Sequence, residues 1–216
     1  MDQRKSHECI LKQTNGTMAM AVATPAGVVT GDQLAKIAEL VKEGAGIAKF
    51  STGQRIVILT APEKVQSVKD GLAEVGLSVG PAGETVRNVK GCAGKLCKYA
   101  NQDGLTDAIT LDKAFAGREM PAALKIAVSG CPKNCMEAQS NDIGLIGLPK
   151  GYQVYVGGRG GRKQTLGIMI RDNVPAGELP AVVGEIIEKY RAAAGFRERI
   201  SHVVEKKGIG VFKVNL

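Results

Sequence analysis

The stretch "VSGCPKNC", residues 128–135, places two cysteines directly after an apolar run. Cys131 and Cys135 enclose three residues, and Gly130 and Pro132 favour a turn at this point. A single buried cysteine is often ordinary core filling, but two thiols at the end of one predicted strand indicate a site. The sequence on either side of the stretch decides which fold carries that site.

A second cysteine pair, Cys92 and Cys97, follows another predicted strand, "TVRNVKG" (85–91). Since each pair follows a strand, both pairs can meet at one edge of a sheet. Four thiolates bind either zinc or an iron–sulfur cluster. The wide and unequal spacings favour the bulkier cluster, with a zinc site and a chance pairing as the alternatives. The fifth cysteine, Cys9, is interpreted as a free thiol.

Composition limits the other functional classes. The 216 residues are 44% hydrophobic and 23% charged, which is typical of a globular protein with a substantial core. The net charge of +8 suggests nucleic acid, but aromatic residues make up only 4% and no basic block is interleaved with them. An anionic cofactor or substrate explains the charge equally well. No apolar run approaches a membrane span and "MDQRKSHECILKQ" lacks the features of a signal peptide, so we expect a cytoplasmic protein.

Hydrophobic periodicity predicts an α+β fold. Strands are expected in "TMAMAVA" (17–23), "GIAKFS" (46–51) and "QRIVIL" (54–59), and helices over 31–44, with Asp32 as the N-cap, and over 62–76. This order predicts a ferredoxin-like domain over residues 1–80. Residues 81–216 are predicted to form a second, α/β domain with a mixed sheet, which includes "DIGLIGL" (142–148), "YQVYV" (152–156) and a helix over 176–195.

Four segments resemble sulfite and nitrite reductases. "VRNVKGCAGKLCKYANQD" (86–103) and "LKIAVSGCPKNCMEAQSNDIGLIG" (124–147) are similar to the haem and cluster domain of that family. "AKFSTGQRIVIL" (48–59) resembles a strand–turn–strand of its ferredoxin-like domain, and "YVGGRGGR" (155–162) resembles its glycine loop. The resemblance is to the small assimilatory-type sulfite reductases and to the bacterial nitrite reductase large subunit, and it covers about residues 17–170.

The resemblance implies two cofactors and their ligands. A [4Fe–4S] cluster is expected on Cys92, Cys97, Cys131 and Cys135, with the Cys135 sulfur shared with the iron of sirohaem. The residues expected to contact the cofactors are Gln54, Gln102, Lys133, Asn134, Gly157, Gly158 and Arg159. The family usually has five residues between the first two cysteines, whereas this chain has four.

The resemblance also implies an activity and an anion site. Arg87 and Lys125 are expected to bind the substrate oxyanion, with Arg55 either close to the same site or in contact with a sirohaem carboxylate. Longer members carry two lysines in a K-x-K arrangement where this chain has Ala123. The expected reaction is the six-electron reduction of sulfite to sulfide, with nitrite reduction to ammonia as the alternative. A non-enzymatic [4Fe–4S] electron carrier is the alternative from another class.

The expected partners follow from the length of the chain and from the resemblance. No flavin or nicotinamide domain fits, so electrons are expected from an external donor such as ferredoxin or a reductase subunit. Longer members of the family contain two copies of this unit around one haem, and a homodimer is therefore expected. The alternative is that the tail after Gly195 covers the site within a monomer. Neither nucleic acid nor a membrane is expected as a partner.

Overall fold

The computed structural model describes residues 8–213 and contains two β-sheets. The elements of the first part, in chain order, are β1 (Ile10–Lys12), β2 (Met18–Val22), α1 (Gly31–Glu43), β3 (Ala48–Phe50), β4 (Ile56–Thr60) and α2 (Val65–Glu74). The four strands pair antiparallel in the order β1-β2-β4-β3. The predicted ferredoxin-like arrangement is thus confirmed.

The two helices of this part are amphipathic, and they share a buried core with the sheet. Leu40 of α1 and Leu72 of α2 pack with Met20 and Ile58 of the strands. The N-cap of α1 is Thr30 rather than the predicted Asp32. The Thr30 hydroxyl accepts a hydrogen bond from the backbone of Gln33, whose side chain bonds back to Thr30, and Asp32 lies within the first turn.

The second sheet carries the cysteines. Its elements and the helices that cover it are β5 (Lys90–Gly91), α3 (Gly104–Phe115), β6 (Ile126–Ser129), β7 (Ile143–Leu148), β8 (Gly151–Val156), β9 (Ile168–Val174), α4 (Leu179–Ala193) and α5 (Ile200–Lys207). The order is β5-β6-β7-β8-β9, parallel from β5 to β7 and antiparallel from β7 to β9. The sheet is therefore mixed, as predicted.

The two faces of the second sheet are covered differently. On one face, Val128 and Leu145 pack against residues of the helices such as Leu111 and Ile187. On the other face, the segment 131–142 crosses over β6 and β7, where Ala138 packs on the sheet. A side chain at Gly144 would overlap the Ala138 carbonyl. The segment 131–142 can therefore lie this close to β7 only because residue 144 is a glycine.

Some elements differ from the sequence prediction. Strands β1 and β9 and helix α5 lie where no element is predicted, and in "TVRNVKG" only Lys90–Gly91 pairs as a strand. No helix within residues 8–213 is long and apolar enough to cross a bilayer. The division of the chain at residue 80 stays a prediction.

Candidate active site

The strands that precede the two cysteine pairs are parallel neighbours. Gly91 of β5 lies opposite Val128 of β6, and each strand ends just before its cysteine pair. The amide of Cys92 donates to the Val128 carbonyl at 3.1 Å. The Gly130 amide, directly before the second pair, donates to the Cys92 Sγ at 3.1 Å. Cys92 and the residue before Cys131 thus meet at one edge of the sheet, and the meeting of all four thiols stays a prediction.

Glycines make room for the Cys92 thiol at this edge. A Cβ on Gly104 would lie 2.9 Å from the Cys92 Sγ and 2.8 Å from the Gly130 amide nitrogen. A Cβ on Gly130 would lie 2.5 Å from the Gln102 carbonyl oxygen. Any larger residue at either position would push the two cysteine-bearing segments apart.

The thiols fit an iron–sulfur cluster in donor type. Cys131 is buried, Cys92 and Cys97 are partly buried, and Cys135 is exposed. Within the described part of the chain, no three His, Cys, Asp or Glu side chains are close enough to bind one metal ion. The thiols are therefore not gathered around one point as the ligands of a single zinc ion are. Thiolates with backbone N–H donors are typical ligands of Fe–S clusters, and ligation by these four residues remains a prediction.

A cationic pocket lies between the two domains. It has a volume of about 410 Å³, and its lining residues are Ser51, Thr52, Gly53, Arg55, Arg87, Asn88, Lys90, Lys125, Ile126 and Asn141. Four of the ten are cations and none is an acid. The turn after β3 forms one wall, and the Asn88 side-chain amide donates to the Gly53 carbonyl across the domain boundary. The structure thus brings together all three predicted anion-site residues and adds Lys90.

The two arginines of the pocket share one acceptor. The Nη1 atoms of Arg55 and Arg87 donate to the Pro81 carbonyl at 2.9 Å and 3.2 Å. Burial lowers the pKa of Arg87, and the positive charge of Arg55 lowers it further. The Arg87 Nε is buried and has no hydrogen-bond partner among residues 8–213. A bound anion would satisfy this donor and reduce the repulsion between the two guanidinium groups.

Lys90 is the pocket cation that the sequence did not predict. Its Nζ donates to the Met136 carbonyl at 3.2 Å. Burial lowers the pKa of Lys90, Glu137 acts in the opposite direction, and Lys125 lowers the pKa further. The signal that could have found Lys90 is strand alternation, because its neighbour Val89 is fully buried in the core and Lys90 must then point to the other face.

The two predicted glutamines already have protein partners. The Gln54 side chain makes both hydrogen bonds with the Gly91 backbone, at 2.7 Å and 2.8 Å, and so ties the first domain to β5. The Gln102 Nε2 donates to the Leu148 carbonyl at 2.7 Å. The predicted contacts of both glutamines with a cofactor remain predictions.

The two predicted cofactor contacts between Cys131 and Cys135 have different surroundings. The exposed Lys133 places its Nζ 4.3 Å from the centre of the Tyr99 ring. Asn134 adopts a positive φ of 50°. Its Oδ1 accepts from the Ala138 amide at 2.8 Å and from the Ser129 hydroxyl at 3.2 Å. Asn134 therefore shapes the loop that carries Cys135.

The glycine loop lies at the opposite edge of the sheet from the cysteines. Because β8 is antiparallel to β7, the loop after β8 adjoins the beginning of β7, where the Gly157 amide donates to the Asp142 carbonyl at 2.9 Å. A side chain at Gly158 would overlap the Gln139 carbonyl. Arg159 contacts the His202 ring nitrogen and donates to the Lys163 carbonyl. These three predicted residues are thus near the Asn141 end of the cationic pocket and not beside the thiols.

Comparison with known families gives matches on both sides of residue 80. Residues 82–216 match the nitrite and sulphite reductase 4Fe-4S domain, and residues 10–75 match the nitrite/sulfite reductase ferredoxin-like half domain. An assimilatory-type sulfite reductase of Nitratidesulfovibrio vulgaris is 32% identical over 93% of this chain and 92% of its own length. A nitrite reductase [NAD(P)H] of Bacillus subtilis is 32% identical over 91% of this chain but only 25% of its own length.

Solved structures share the fold. The NirA protein of Mycobacterium tuberculosis superposes with a TM-score of 0.81 at 22% identity, over 91% of this chain and 39% of that one. Dissimilatory sulfite reductase I superposes with a TM-score of 0.82 at 15% identity, over 93% of this chain and 70% of that one. The family matches cover both sheets and all four paired cysteines. The chain therefore belongs to the nitrite and sulphite reductase family, whose members combine a [4Fe–4S] cluster with sirohaem.

Proposed function

We propose that this chain catalyses the reduction of sulfite to sulfide. The observation that carries the proposal is the pocket of about 410 Å³ whose lining contains four cations and no acid. The match to an assimilatory-type sulfite reductase over nearly the full length of both chains supports sulfite as the substrate. In the balanced reaction, sulfite takes up six electrons and seven protons and gives hydrosulfide and three waters.

The roles of this chain's residues follow from charge and position. Arg55 and Arg87 bind an oxyanion from one end of the pocket, and Lys125 adds a further positive charge directly before β6. Charged donors that are already in place stabilise negative charge in a site where water is restricted. The Lys125 ammonium can also donate a proton from its Nζ to an oxygen that leaves as water. When bound, the cluster and sirohaem supply the electron storage and the iron that binds the substrate.

Nitrite is the second candidate substrate. The relative from Bacillus subtilis is a nitrite reductase, and this chain matches a quarter of its length. Nitrite is also a small oxyanion that the same cations would bind. Its reduction takes six electrons and eight protons and gives ammonium and two waters.

Electrons are proposed to come from an external protein. A ferredoxin or a reductase subunit is proposed to supply them, because the two matched families, a ferredoxin-like half domain and a 4Fe-4S domain, are neither flavin nor nicotinamide domains. Cysteines that bind a cluster must stay reduced, and the cytoplasm keeps thiols reduced. This requirement supports a cytoplasmic location. We also propose a homodimer, in which a second copy completes the cover over the cofactors.

Absorption spectra and rate measurements test the proposed function. The purified holoprotein should show the bands of sirohaem in the red, whereas an electron carrier with a bare cluster would show only a broad shoulder. Initial rates with sulfite and with nitrite should then be compared, with electrochemically reduced methyl viologen as the electron donor. A higher kcat/KM for sulfite supports the proposal, and a higher value for nitrite selects the second candidate. A protein with a cluster, no sirohaem and no turnover of either anion would contradict both.

A further inference from the structure

Lys90 and Lys125 form a lysine pair across two strands of the pocket. Lys90 lies opposite Ala127 in the parallel β5–β6 ladder, and Lys125 precedes Ala127 by two residues. Alternate residues of an extended chain project to the same side, so both lysines lie on the face that Ala127 occupies. Both line the pocket, and the charge of Lys125 acts on Lys90. The pocket therefore contains a lysine pair as well as the arginine pair.

The Lys90 ammonium has hydrogen-bond donors that the described residues do not use. An ammonium group has three N–H donors, and the described residues give the Lys90 Nζ one hydrogen bond, to the Met136 carbonyl at 3.2 Å. Glu137, the acid that acts on Lys90, is exposed and does not line the pocket. Two donors of a half-buried cation are thus left for a ligand.

The charges that line the pocket favour a bound anion. Four cations line one cavity that no carboxylate of the described residues lines, and a partly buried charge without a counter-ion costs free energy. A bound anion that contacts the Lys90 ammonium would offset this cost.

We propose that Lys90 is an oxyanion-binding residue that, with Lys125, holds one side of a bound anion opposite Arg55 and Arg87. This inference rests on the proposed function and names a residue that completes its anion site. The ligand chemistry is a carboxylate or sulfite-type oxyanion, which can come from the free substrate or from a carboxylate of sirohaem.

The test compares Lys90→Gln with the conservative Lys90→Arg in the holoprotein. Calorimetric titration without a reductant measures the dissociation constants of sulfite and of inorganic sulfate, and the absorption spectrum measures sirohaem content. Lys90→Gln should raise the dissociation constants by about tenfold, the scale of one charge-assisted hydrogen bond. Lys90→Arg should restore most of the affinity. Lys113→Gln is the matched control, because Lys113 is exposed on α3 and does not line the pocket.

The two sources of the anion give different results. Weaker sulfite binding with full sirohaem content assigns Lys90 to the free oxyanion, whereas loss of sirohaem in Lys90→Gln but not in Lys90→Arg assigns it to a cofactor carboxylate. The proposal is overturned if Lys90→Gln binds both anions and sirohaem as the wild type does. It is also overturned if both variants lose the same affinity and the same thermal stability, since that indicates a purely structural lysine. Anion binding that depends on Lys90 in a protein without sulfite turnover would contradict the proposed function and leave this inference standing.

Discussion

At the residue scale, the site depends on where two cysteine pairs begin. Cys92 comes directly after the end of β5, and Cys131 follows the end of β6 with one residue, Gly130, between them. The Gly130 amide donates to the Cys92 sulfur and so connects the two segments. Thiolate ligation in such a place contributes to folding as well as to electron transfer, because an assembled cluster is bound only by the folded chain.

The first prediction concerns Cys131. Cys131→Ser should abolish the [4Fe–4S] cluster and lower thermal stability, because the buried Cys131 is one of the four proposed ligands. Iron and acid-labile sulfide per chain, together with the visible spectrum, are the measurements. Cys9→Ser is the control and should retain both the iron content and the spectrum. Full iron content in Cys131→Ser would show that the ligand assignment is wrong.

The second prediction concerns Arg87. Arg87→Ala should lower the kcat/KM for sulfite by about 10²-fold or more, the scale of removing one charged donor that stabilises negative charge. Sirohaem and iron contents should stay near those of the wild type. The control is Arg118→Ala, because Arg118 lies outside the pocket and stacks on Phe115. Unchanged turnover, or loss of sirohaem in Arg87→Ala, would each contradict a substrate-binding role.

At the element scale, a buried ion pair fixes helix α5 to the beginning of β7. Asp142 is 1% exposed, and its carboxylate accepts two hydrogen bonds from Arg199 at 2.5 Å and 3.1 Å and one from the Lys125 amide at 2.9 Å. The same residue's carbonyl accepts from the Gly157 amide. Asp142 therefore connects three parts of the protein. Its carboxylate binds Arg199 at the start of α5 and the backbone of the pocket residue Lys125, and its backbone carbonyl binds the glycine loop.

The third prediction tests that ion pair. Arg199→Met should lower the free energy of unfolding by about 3–5 kcal/mol, because it leaves a buried carboxylate without its cation. Arg197→Met is the matched control, since Arg197 pairs with Glu84 at a largely exposed site and should cost only about 0–1 kcal/mol. Urea unfolding of the two variants gives the comparison. Equal losses would mean that the buried pair adds no more stability than a surface pair.

At the scale of the whole molecule, the first sheet ends in an edge strand with which no further strand of residues 8–213 pairs. Strand β3 is the outer strand of the order β1-β2-β4-β3, and all three of its residues are exposed. Phe50 is 72% exposed and Ile47, just before the strand, is 54% exposed. Edge strands with exposed apolar residues readily pair with another chain. A twofold axis beside β3 would bury this edge in the proposed homodimer.

The fourth prediction concerns assembly. Light scattering of the cofactor-loaded protein at micromolar concentration should give twice the chain mass of 22.6 kDa. Phe50→Glu should shift the protein to monomers, because a charge would be buried at the pairing edge. Phe196→Glu is the control, since Phe196 is 81% exposed and lies far along the chain in the C-terminal segment. A mass near 22.6 kDa that persists as concentration rises would exclude the homodimer and favour the tail as the cover.

Local sequence patterns determined the elements and the position of the cysteines. Apolar runs and helical spacing predicted β2, β4, β7 and β8 and the helices α1, α2 and α4, since each of these elements buries apolar side chains in a regular pattern. Elements with weaker patterns were missed: β9 is largely exposed, and α5 is a short helix whose buried face is small. The N-cap of α1 was misplaced by two residues because Thr30, Gly31 and Asp32 offer competing capping signals.

Contacts across long sequence separations were decided only by the tertiary structure. The bond between Gln54 and Gly91 joins residues 37 positions apart, and the Lys90–Met136 bond spans 46 positions. Neither contact has a local signal, because each depends on how the first domain packs against the second sheet and on the path of the 131–142 crossover. The sequence by itself determined that two thiol pairs end two strands. The tertiary structure decided that Lys90 joins Arg55, Arg87 and Lys125 in one pocket, because only the parallel register of β5 and β6 places the two lysines on the same face.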